Sequence, residues 1–218
     1  MKGLSMQAGH PNTQESKSLR RPLNVFAERL EEILEYNFSQ FRTFKEPDLE
    51  KALQQSVRFC VDMASADKPA RWLTLLGPCG VGKTLLAKFI NRFYGKFIQD
   101  LPDDRNVPGE IWNRRGGFKP WINVINDMMN GDYSGIRDLK QDWFLVIDDI
   151  GVEYGKNREL ATTKLFEILN ARENLFTVIT GNLTLEDIDS KLDARIASRL
   201  LRNGSSVVNI VTKDFNLR

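Results

Sequence analysis

The sequence predicts an α/β fold in which helices flank a parallel sheet, and three short apolar runs are the main reason. These runs are WLTLL from Trp72, WFLVI from Trp143 and FTVIT from Phe176. The segments between them include stretches with helical periodicity, and strands that alternate with helices form parallel sheets. A chain of 218 residues is long enough to bury one such core without disulfides or metal ions.

The composition is that of a folded protein with both signs of charge. Hydrophobic residues make up 41% of the chain and charged residues 28%, which excludes a disordered tail and a fibrous repeat. The 31 basic and 29 acidic side chains give a net charge of +2. Total charge therefore neither requires nor excludes a nucleic-acid partner, and any basic surface must be local.

The cysteines, the histidine and the apolar runs indicate the compartment. Cys60 and Cys79 form no CxxC pair and His10 is the only histidine, so we expect neither a zinc site nor a disulfide framework. The longest wholly apolar run, Trp143 to Ile147, is far shorter than a membrane helix, and the first ten residues lack the apolar stretch of a signal peptide. These features predict a cytoplasmic protein with no membrane partner.

The N-terminal region is predicted to precede the α/β core. Residues 1–22 are mostly polar, and nearly all of their charged residues are basic, which is typical of a flexible arm. Residues 23–36 predict an amphipathic helix capped by Asn24. Its apolar stripe consists of Phe26, Leu30, Ile33 and Leu34. This helix either covers the sheet of the core, residues 37–218, or docks a partner.

Periodicity and capping residues predict the remaining elements. Asp48 predicts the start of a second helix with an apolar stripe. A stretch rich in glycine and proline, from Leu101 to Pro120, interrupts the strand and helix pattern before a short helix. Thr184 and Asp193 each predict a helix start. The run VVNIV, which begins at Val207, predicts the last strand.

A phosphate-binding loop follows the first strand. GPCGVGKT, from Gly77 to Thr84, matches GxxxxGK[ST] and lies between an apolar strand and an amphipathic helix. Its glycines allow backbone N–H groups and the positive helix end to face an anion. Lys83 is expected to reach the β- and γ-phosphates, and Thr84 to bind Mg²⁺. The nucleotide-binding set is Gly77, Pro78, Cys79, Gly80, Val81, Gly82, Lys83, Thr84 and Leu85. A glycine-rich turn without a ligand is the alternative.

Two carboxylates follow the second apolar strand. Asp148 and Asp149 come directly after Ile147, and carboxylates at the end of a buried strand are costly unless a cation meets them. Magnesium is the obvious cation. Asp148 would then hold the metal through water, and Asp149 would polarise the attacking water as general base. The alternative is a solvated turn before Gly151.

Asn182 follows the third apolar strand. The strand ends at Thr180, Gly181 and Asn182, where an amide can approach the γ-phosphate or its attacking water. Local hydrogen bonding in the turn before the next helix explains the spacing equally well.

Two arginines share one face of the helix after Asp193. Arg195 and Arg199 lie four residues apart, where like charges repel, and an anionic partner would remove that cost. Arg199 can act as an arginine finger if it reaches a neighbouring subunit, and Arg202 extends the basic face. Solvated arginines, or pairing with Asp189 or Asp193, are the alternative.

Cations alternate with aromatic rings in the stretch before the short helix. Its members are Trp112, Arg114, Arg115, Phe118, Lys119 and Trp121. This combination suits single-stranded nucleic acid, which stacks on rings and binds arginines through its phosphates. The aromatic residues equally suit a core around a strand, as expected for Phe118 or Trp121 because Ile122 and Val124 are apolar.

The ordered segments GPCGVGKT, LVIDDIG, VITGNLT and DARIASRL resemble the DnaC/IstB-like branch of the AAA+ ATPases, which includes helicase loaders and transposition helpers. The resemblance covers residues 37–218 and implies an AAA+ core without a C-terminal helical lid. It implies Lys83 and Thr84 as nucleotide and Mg²⁺ contacts, with Asp148 and Asp149 as metal and water residues. It also implies Asn182 as sensor 1, Arg199 as a finger acting on another subunit, and Arg195 as its companion.

The resemblance implies an Mg²⁺-dependent ATPase that assembles with itself and loads a replicative DNA helicase. Loaders often have Glu where this chain has Asp149, which suggests slow turnover. Two other functions fit the same motifs. One is an IstB-like transposition helper whose partner is a transposase, and the other is a nucleotide-gated DNA-binding adaptor that scarcely hydrolyses ATP.

Overall fold

The computed structural model describes residues 21–65, 69–99, 114–151, 158–202, 204–212 and 214. Within these residues the chain forms five strands and eight α-helices. The strands are β1 (Trp72–Leu76), β2 (Gly116–Pro120), β3 (Phe144–Ile150), β4 (Phe176–Gly181) and β5 (Ser206–Asn209). The helices are α1 (Arg21–Phe38), α2 (Pro47–Ala64), α3 (Lys83–Phe93), α4 (Trp121–Met129), α5 (Ile136–Gln141), α6 (Arg158–Ala171), α7 (Leu185–Asp187) and α8 (Ala194–Leu200). In this part of the chain, no helix has the length and apolarity needed to cross a membrane.

The five strands are all parallel and form one sheet in the order β2-β3-β4-β1-β5. Helices pack on both faces, so the predicted α/β fold with a flanked parallel sheet is confirmed. In a parallel sheet the carboxyl ends of the strands meet at one edge, which we call the carboxyl edge. The loops that follow β1, β3 and β4 converge there, because these three strands are neighbours.

Alternate side chains of each strand enter two separate cores. In β1, Leu73 and Leu75 belong to the core shared with α1, α2 and α3. Trp72 and Leu76 belong to the other core, which includes residues of α4, α6 and α8. A strand buried on both faces needs apolar residues at every position. This explains why the sequence shows continuous apolar runs instead of alternation.

Helix α1 packs on the core through part of its apolar stripe. Leu34 is 5% exposed, and Leu30 and Ile33 are partly buried against the first core. The helix extends beyond the predicted bounds at both ends, so Asn24 lies inside it and is not its cap. The residues assigned to a flexible arm lie largely outside the described part of the chain.

Asp48 has a tertiary role in place of the predicted cap. The residue before α2 is Glu46, and it makes no side-chain capping bond, so the capping prediction for Asp48 is wrong. Asp48 Oδ2 instead accepts hydrogen bonds from the N–H groups of Val211 (2.7 Å) and Thr212 (2.8 Å), and Oδ1 accepts one from the Thr212 hydroxyl (3.1 Å). These backbone bonds lower the pKa of Asp48, although burial opposes them. The chain after β5 is thereby fixed to the start of α2.

The edge strand β2 was not predicted. It lies at the end of the stretch from Leu101 to Pro120 that the sequence assigned to an interruption. Its sequence, GGFKP, has one large apolar residue and a proline, and both are tolerated at an edge. Gly116 is required by packing, because a Cβ there would lie 2.2 Å from the carbonyl oxygen of Phe144.

The other predicted boundaries are close to the observed ones. Thr184 forms a capping box with Asp187, and the carboxylate of Asp193 accepts a hydrogen bond from the N–H of Arg195 at the start of α8. Both helix starts are therefore confirmed. The last strand, β5, begins one residue before Val207 and is shorter than the VVNIV run.

Candidate nucleotide-binding site

The phosphate loop joins the carboxyl end of β1 to the first turn of α3. Gly82 precedes α3 with φ +93°, a left-handed conformation that favours glycine. Gly77 has φ +142°, and a Cβ there would lie 2.1 Å from the carbonyl oxygen of Ile210. Glycine is therefore required at both positions.

The loop borders an open pocket of about 460 Å³ at the carboxyl edge. This volume lies within the range of small-molecule sites. The lining residues come from the loops after β1, β3 and β4: Cys79, Gly80, Gly82, Lys83, Thr84, Leu85, Asp149 and Asn182. Leu85 remains 42% exposed, whereas Val81 is fully buried in the first core and anchors the loop. Residues predicted from separate motifs thus share one pocket.

Lys83 lies where these loops meet and is only 5% exposed. Its Nζ donates hydrogen bonds to the carbonyl oxygens of Gly77 (2.9 Å) and Pro78 (2.6 Å) and to Oδ1 of Asn182 (2.9 Å). Burial lowers the pKa of Lys83, and the neighbouring carboxylates oppose this shift. A buried ammonium group beside an open pocket can donate its hydrogen bonds to an anionic ligand in place of the neutral oxygen atoms that accept them here.

Asp148 lies in β3 and is 7% exposed. Its Oδ1 accepts two hydrogen bonds, from the hydroxyl of Thr84 (2.9 Å) and from the hydroxyl of Thr180 (2.7 Å). The two residues predicted to hold Mg²⁺, Thr84 and Asp148, are therefore in contact. A hydroxyl and a carboxylate are the hard oxygen ligands that Mg²⁺ takes alongside water and phosphate.

The backbone turns Asp149 away from its neighbour. Its φ of +64° lies in the left-handed region and coincides with a shift of register between β3 and β4. Its N–H donates to the Thr180 hydroxyl (2.8 Å), and its Oδ1 accepts a hydrogen bond from Nδ2 of Asn182 (2.6 Å). Burial raises the pKa of Asp149, the charge of Asp148 raises it further, and Lys83 opposes both. A carboxyl group of this kind is suited to accept a proton.

Asn182 connects the lysine to the second carboxylate. Its Oδ1 accepts the hydrogen bond from Lys83 Nζ, and its Nδ2 donates to Asp149. Among the described residues, its side-chain hydrogen bonds go to Lys83 and Asp149 and not to the turn before α7. Of the two roles that the sequence left open, the contact with the pocket matches the geometry.

The arginines of α8 do not line this pocket. Arg195 forms an ion pair with Asp193 (2.8 Å) and lies over the ring of Phe166, 4.5 Å from its centroid. The side chain of Arg199 donates a hydrogen bond to Oδ1 of Asn170. Arg199 also lines a small cleft with Arg202, near the start of β1 and therefore far from the carboxyl edge.

The aromatic residues of the stretch from Trp112 to Trp121 are divided by burial. Trp121 is fully buried, and Phe118 packs against the first core, as the sequence allowed. Trp112 lies outside the described residues. Stacking with nucleic-acid bases is therefore not available to Trp121.

The basic residues of the same stretch contact the protein itself. Arg114 donates to the carbonyl oxygen of Ile98 (3.3 Å) and lies over the Trp143 ring. Arg115 pairs with the carboxylates of Asp138 (3.3 Å) and Asp142 (3.6 Å). Lys119 is exposed.

Sequence reasoning missed Thr180, which is fully buried and bonds to the carboxylate of Asp148 and to the backbone N–H of Asp149. The only signal is its hydroxyl at the end of an otherwise apolar strand, FTVIT, directly before Gly181 and Asn182. A threonine is a common strand residue, so that signal is weak on its own.

Three solved structures share this architecture. The crystal structure of DnaI aligns with a TM-score of 0.59 and 21% identity, over 84% of this chain and 92% of that one. The DnaC helicase loader aligns with a TM-score of 0.56 and 24% identity, over 76% and 92%. AMPPCP-bound DnaA from Aquifex aeolicus aligns with a TM-score of 0.58 and 16% identity, over 81% of this chain and 50% of that protein.

The chain shares the fold of DnaI, of the DnaC helicase loader and of part of DnaA. At these identities the likeness extends to the fold, and the order of the strands and the position of the phosphate loop agree with it. The sequence matches no model of a known protein family, and no curated protein has significant sequence similarity to it. The fold assignment therefore rests on three-dimensional similarity, and the motifs at the carboxyl edge are consistent with it.

Proposed function

We propose that this protein binds and hydrolyses ATP with Mg²⁺. The observation that carries the proposal is one pocket lined by a phosphate loop, a buried lysine, a threonine and a carboxylate with a raised pKa. The threonine, Thr84, is hydrogen-bonded to a second carboxylate, that of Asp148. An AAA+ fold supports it, because ATP is the usual ligand of a phosphate loop in that setting.

The residues divide the chemistry among themselves. Backbone N–H groups of the loop and the start of α3 would bind the phosphates, and Lys83 would exchange its bonds to carbonyl oxygens for phosphate oxygens. Thr84 and Asp148 would hold Mg²⁺, which neutralises phosphate charge when it is bound. Asp149 would take the proton of the attacking water, with Asn182 orienting its carboxylate.

ATP titration and a phosphate-release assay test this proposal. We expect Mg²⁺-dependent binding and slow hydrolysis in the parental protein, and loss of both in Lys83→Ala. Lys88→Ala is the matched control, because Lys88 is an exposed lysine on the same helix. Equal ATP affinity in Lys83→Ala and Lys88→Ala would remove Lys83 from the site.

We further propose that the ATPase loads a replicative helicase onto DNA. The fold similarity to the DnaC helicase loader, which extends over 92% of that chain, supports this role. The test is to supply the replicative helicase of the same genome with circular single-stranded DNA, ATP and this protein, and to count helicases retained on the circles. Retention that depends on Lys83 is the expected result. Co-assembly with a transposase and not with the helicase would favour the transposition helper.

Self-assembly is part of the same proposal, with Arg199 as a finger on the neighbouring subunit. Arg199 does not line the pocket and lies in a cleft near the start of β1, which supports action on another copy. Arg199→Ala is expected to bind ATP without hydrolysing it. A mixture of Arg199→Ala with Lys83→Ala should regain activity, since one supplies the pocket and the other the finger. No recovery in proven mixed assemblies would contradict the proposal.

Single-stranded DNA is proposed as a ligand of the surface around Arg114, Arg115 and Lys119. Arg115 already pairs with two carboxylates, so DNA must compete with Asp138 and Asp142 for it. Binding that weakens steeply with salt is expected of phosphate contacts. Fluorescence anisotropy with Arg115→Ala and with Arg137→Ala, a nearby exposed arginine, distinguishes a local site from general charge.

A further inference from the structure

We propose that Thr180 is a positioning residue that holds Asp148 and Asp149 in register for ATP hydrolysis. Its hydroxyl bonds directly to both residues: it donates to Oδ1 of Asp148 (2.7 Å) and accepts from the N–H of Asp149 (2.8 Å). The inference rests on the proposed ATPase function and concerns the arrangement of that same site.

The bonds leave the hydroxyl no alternative orientation. A threonine hydroxyl has one proton, which it donates in a hydrogen bond to the carboxylate of Asp148. The lone pairs of the hydroxyl oxygen therefore face the N–H of Asp149. Thr180 is fully buried, and a buried hydrogen bond to a carboxylate is strong because solvent does not compete. Thr180 does not line the pocket, so it acts through its two neighbours.

The bond to Asp149 stabilises an unusual backbone. Asp149 has φ +64°, which is unfavourable for a residue with a side chain, and its N–H is fixed by Thr180. In this conformation the Asp149 carboxylate accepts a hydrogen bond from Asn182 at 2.6 Å, whereas the Asp148 carboxylate bonds to Thr84 and Thr180. Thr180 thus fixes the two consecutive residues so that Asp148 can hold the metal and Asp149 can bind the attacking water.

The bond to Asp148 becomes more important once nucleotide binds. In the structure, Asp148 Oδ1 accepts hydrogen bonds from the hydroxyls of both Thr84 and Thr180. Under the proposed function the Thr84 hydroxyl turns to Mg²⁺, and Thr180 is then the donor that remains to orient the carboxylate. A residue that orients a metal-binding carboxylate typically affects metal affinity or rate by 10- to 100-fold.

Three variants test the inference. Thr180→Val keeps the shape and removes the hydroxyl, and Thr180→Ser keeps the hydroxyl. Thr74→Val is the matched control, because Thr74 is a fully buried threonine on the neighbouring strand whose hydroxyl has no hydrogen-bond partner among the described residues. For each variant we would measure melting temperature, ATP affinity with and without Mg²⁺, kcat and KM.

Thr180→Val is expected to keep its ATP affinity without Mg²⁺, to need about 10-fold more Mg²⁺ and to lose at least about 10-fold in kcat with little change in KM. Thr180→Ser should retain most of the parental kcat, and Thr74→Val all of it. Should Thr180→Val not fold, the serine variant still decides, because a kcat for Thr180→Ser as low as that of Asp149→Asn would overturn the inference.

The outcomes separate this inference from the proposed function. A parental protein that hydrolyses ATP, together with a folded Thr180→Val that matches it in kcat and Mg²⁺ requirement, would overturn the positioning role alone. A parental protein that binds Mg²⁺ and ATP without turnover still tests the role through the Mg²⁺ requirement. A parental protein that binds no ATP would overturn both.

Discussion

Two buried cations, Lys83 and Arg172, lie at opposite ends of the sheet and serve different purposes. Lys83 is at the carboxyl edge and borders the open pocket. Arg172 follows α6, near the amino ends of the strands, and is fully buried. Its guanidinium donates to the carbonyl oxygens of Leu139, Asp142 and Phe176 and to the hydroxyl of Thr177, at 2.8–3.0 Å.

The difference lies in what remains for a ligand. The guanidinium of Arg172 donates its hydrogen bonds to acceptors that belong to the folded protein itself. Burial lowers the pKa of Arg172 to about 9. Lys83 bonds to two loop carbonyls and to a side-chain amide, and it faces a pocket of about 460 Å³. A buried cation such as Arg172, which bonds only to groups of the protein, has a structural role. A buried cation such as Lys83, which faces an open pocket, can bind an anion.

Replacement of Arg172 should have the largest effect on stability. Arg172→Leu leaves three carbonyl oxygens and a hydroxyl without their donor, which costs about 3–5 kcal/mol and lowers the melting temperature by about 10 °C. Arg158→Leu, at the exposed start of the same helix, is the control and should melt like the parent. Lys83→Ala should also fold normally. A larger loss of stability in Lys83→Ala than in Arg172→Leu would reverse the comparison.

Asp149→Asn is expected to lower kcat about 100-fold, as for loss of a general base, while ATP affinity is kept. Its melting temperature should rise slightly, because the folded protein raises the pKa of Asp149 and so disfavours the charged form that Asn removes. Single-turnover hydrolysis and thermal unfolding measure the two effects. A variant with parental kcat would exclude Asp149 as the base.

The pH dependence of kcat should show the titration of the Asp149 carboxyl group. Asp149 must be deprotonated to act as a base, so the rate falls as pH decreases through its pKa, which lies above the ordinary aspartate value. The residual rate of Asp149→Asn should lack this decrease. An acid limb that persists unchanged in the variant would assign the titration to another group.

Cys79 reports access to the pocket beside Lys83. It is exposed in the phosphate loop, so a thiol reagent should label it, and ATP at ten times its Kd should slow labelling about tenfold. Cys60 provides an internal control, since it is fully buried and should react only on unfolding. Labelling of Cys79 at equal rates with and without ATP would place it away from the bound ligand.

Arg195 is a third cation and should have the smallest effect. It is exposed, and its partners are Asp193 and the face of Phe166. Such surface pairs contribute little, so Arg195→Ala should shift the melting temperature by less than about 2 °C and leave ATP affinity unchanged. A loss of hydrolysis comparable to that of Arg199→Ala would instead support a role as companion of the finger.

The carboxyl edge was largely predictable from the sequence, and the opposite end was not. The phosphate loop, Asp148 and Asn182 each follow an apolar run, and parallel strands bring such residues together. Arg172 has no comparable signal, because three of its four acceptors are backbone carbonyls that any sequence supplies. Asp48 was assigned to a cap since aspartate before a helix usually caps it, but its partners lie 163 and 164 residues away.

The central position of β4 and β1 has a consequence for synthesis on the ribosome. Gly77 N–H donates to the carbonyl of Gly181 (3.2 Å), and Ile210 N–H donates to the carbonyl of Leu76 (2.8 Å). Gly181 and Ile210 are therefore made more than a hundred residues after Gly77 and Leu76, the residues to which they bond. Such long-range contacts form late, so the nascent chain should acquire ATP affinity only after the segment that Asp48 binds has emerged. A chain truncated before Thr212 would then not bind ATP, so that only chains extending through Thr212 would carry the nucleotide.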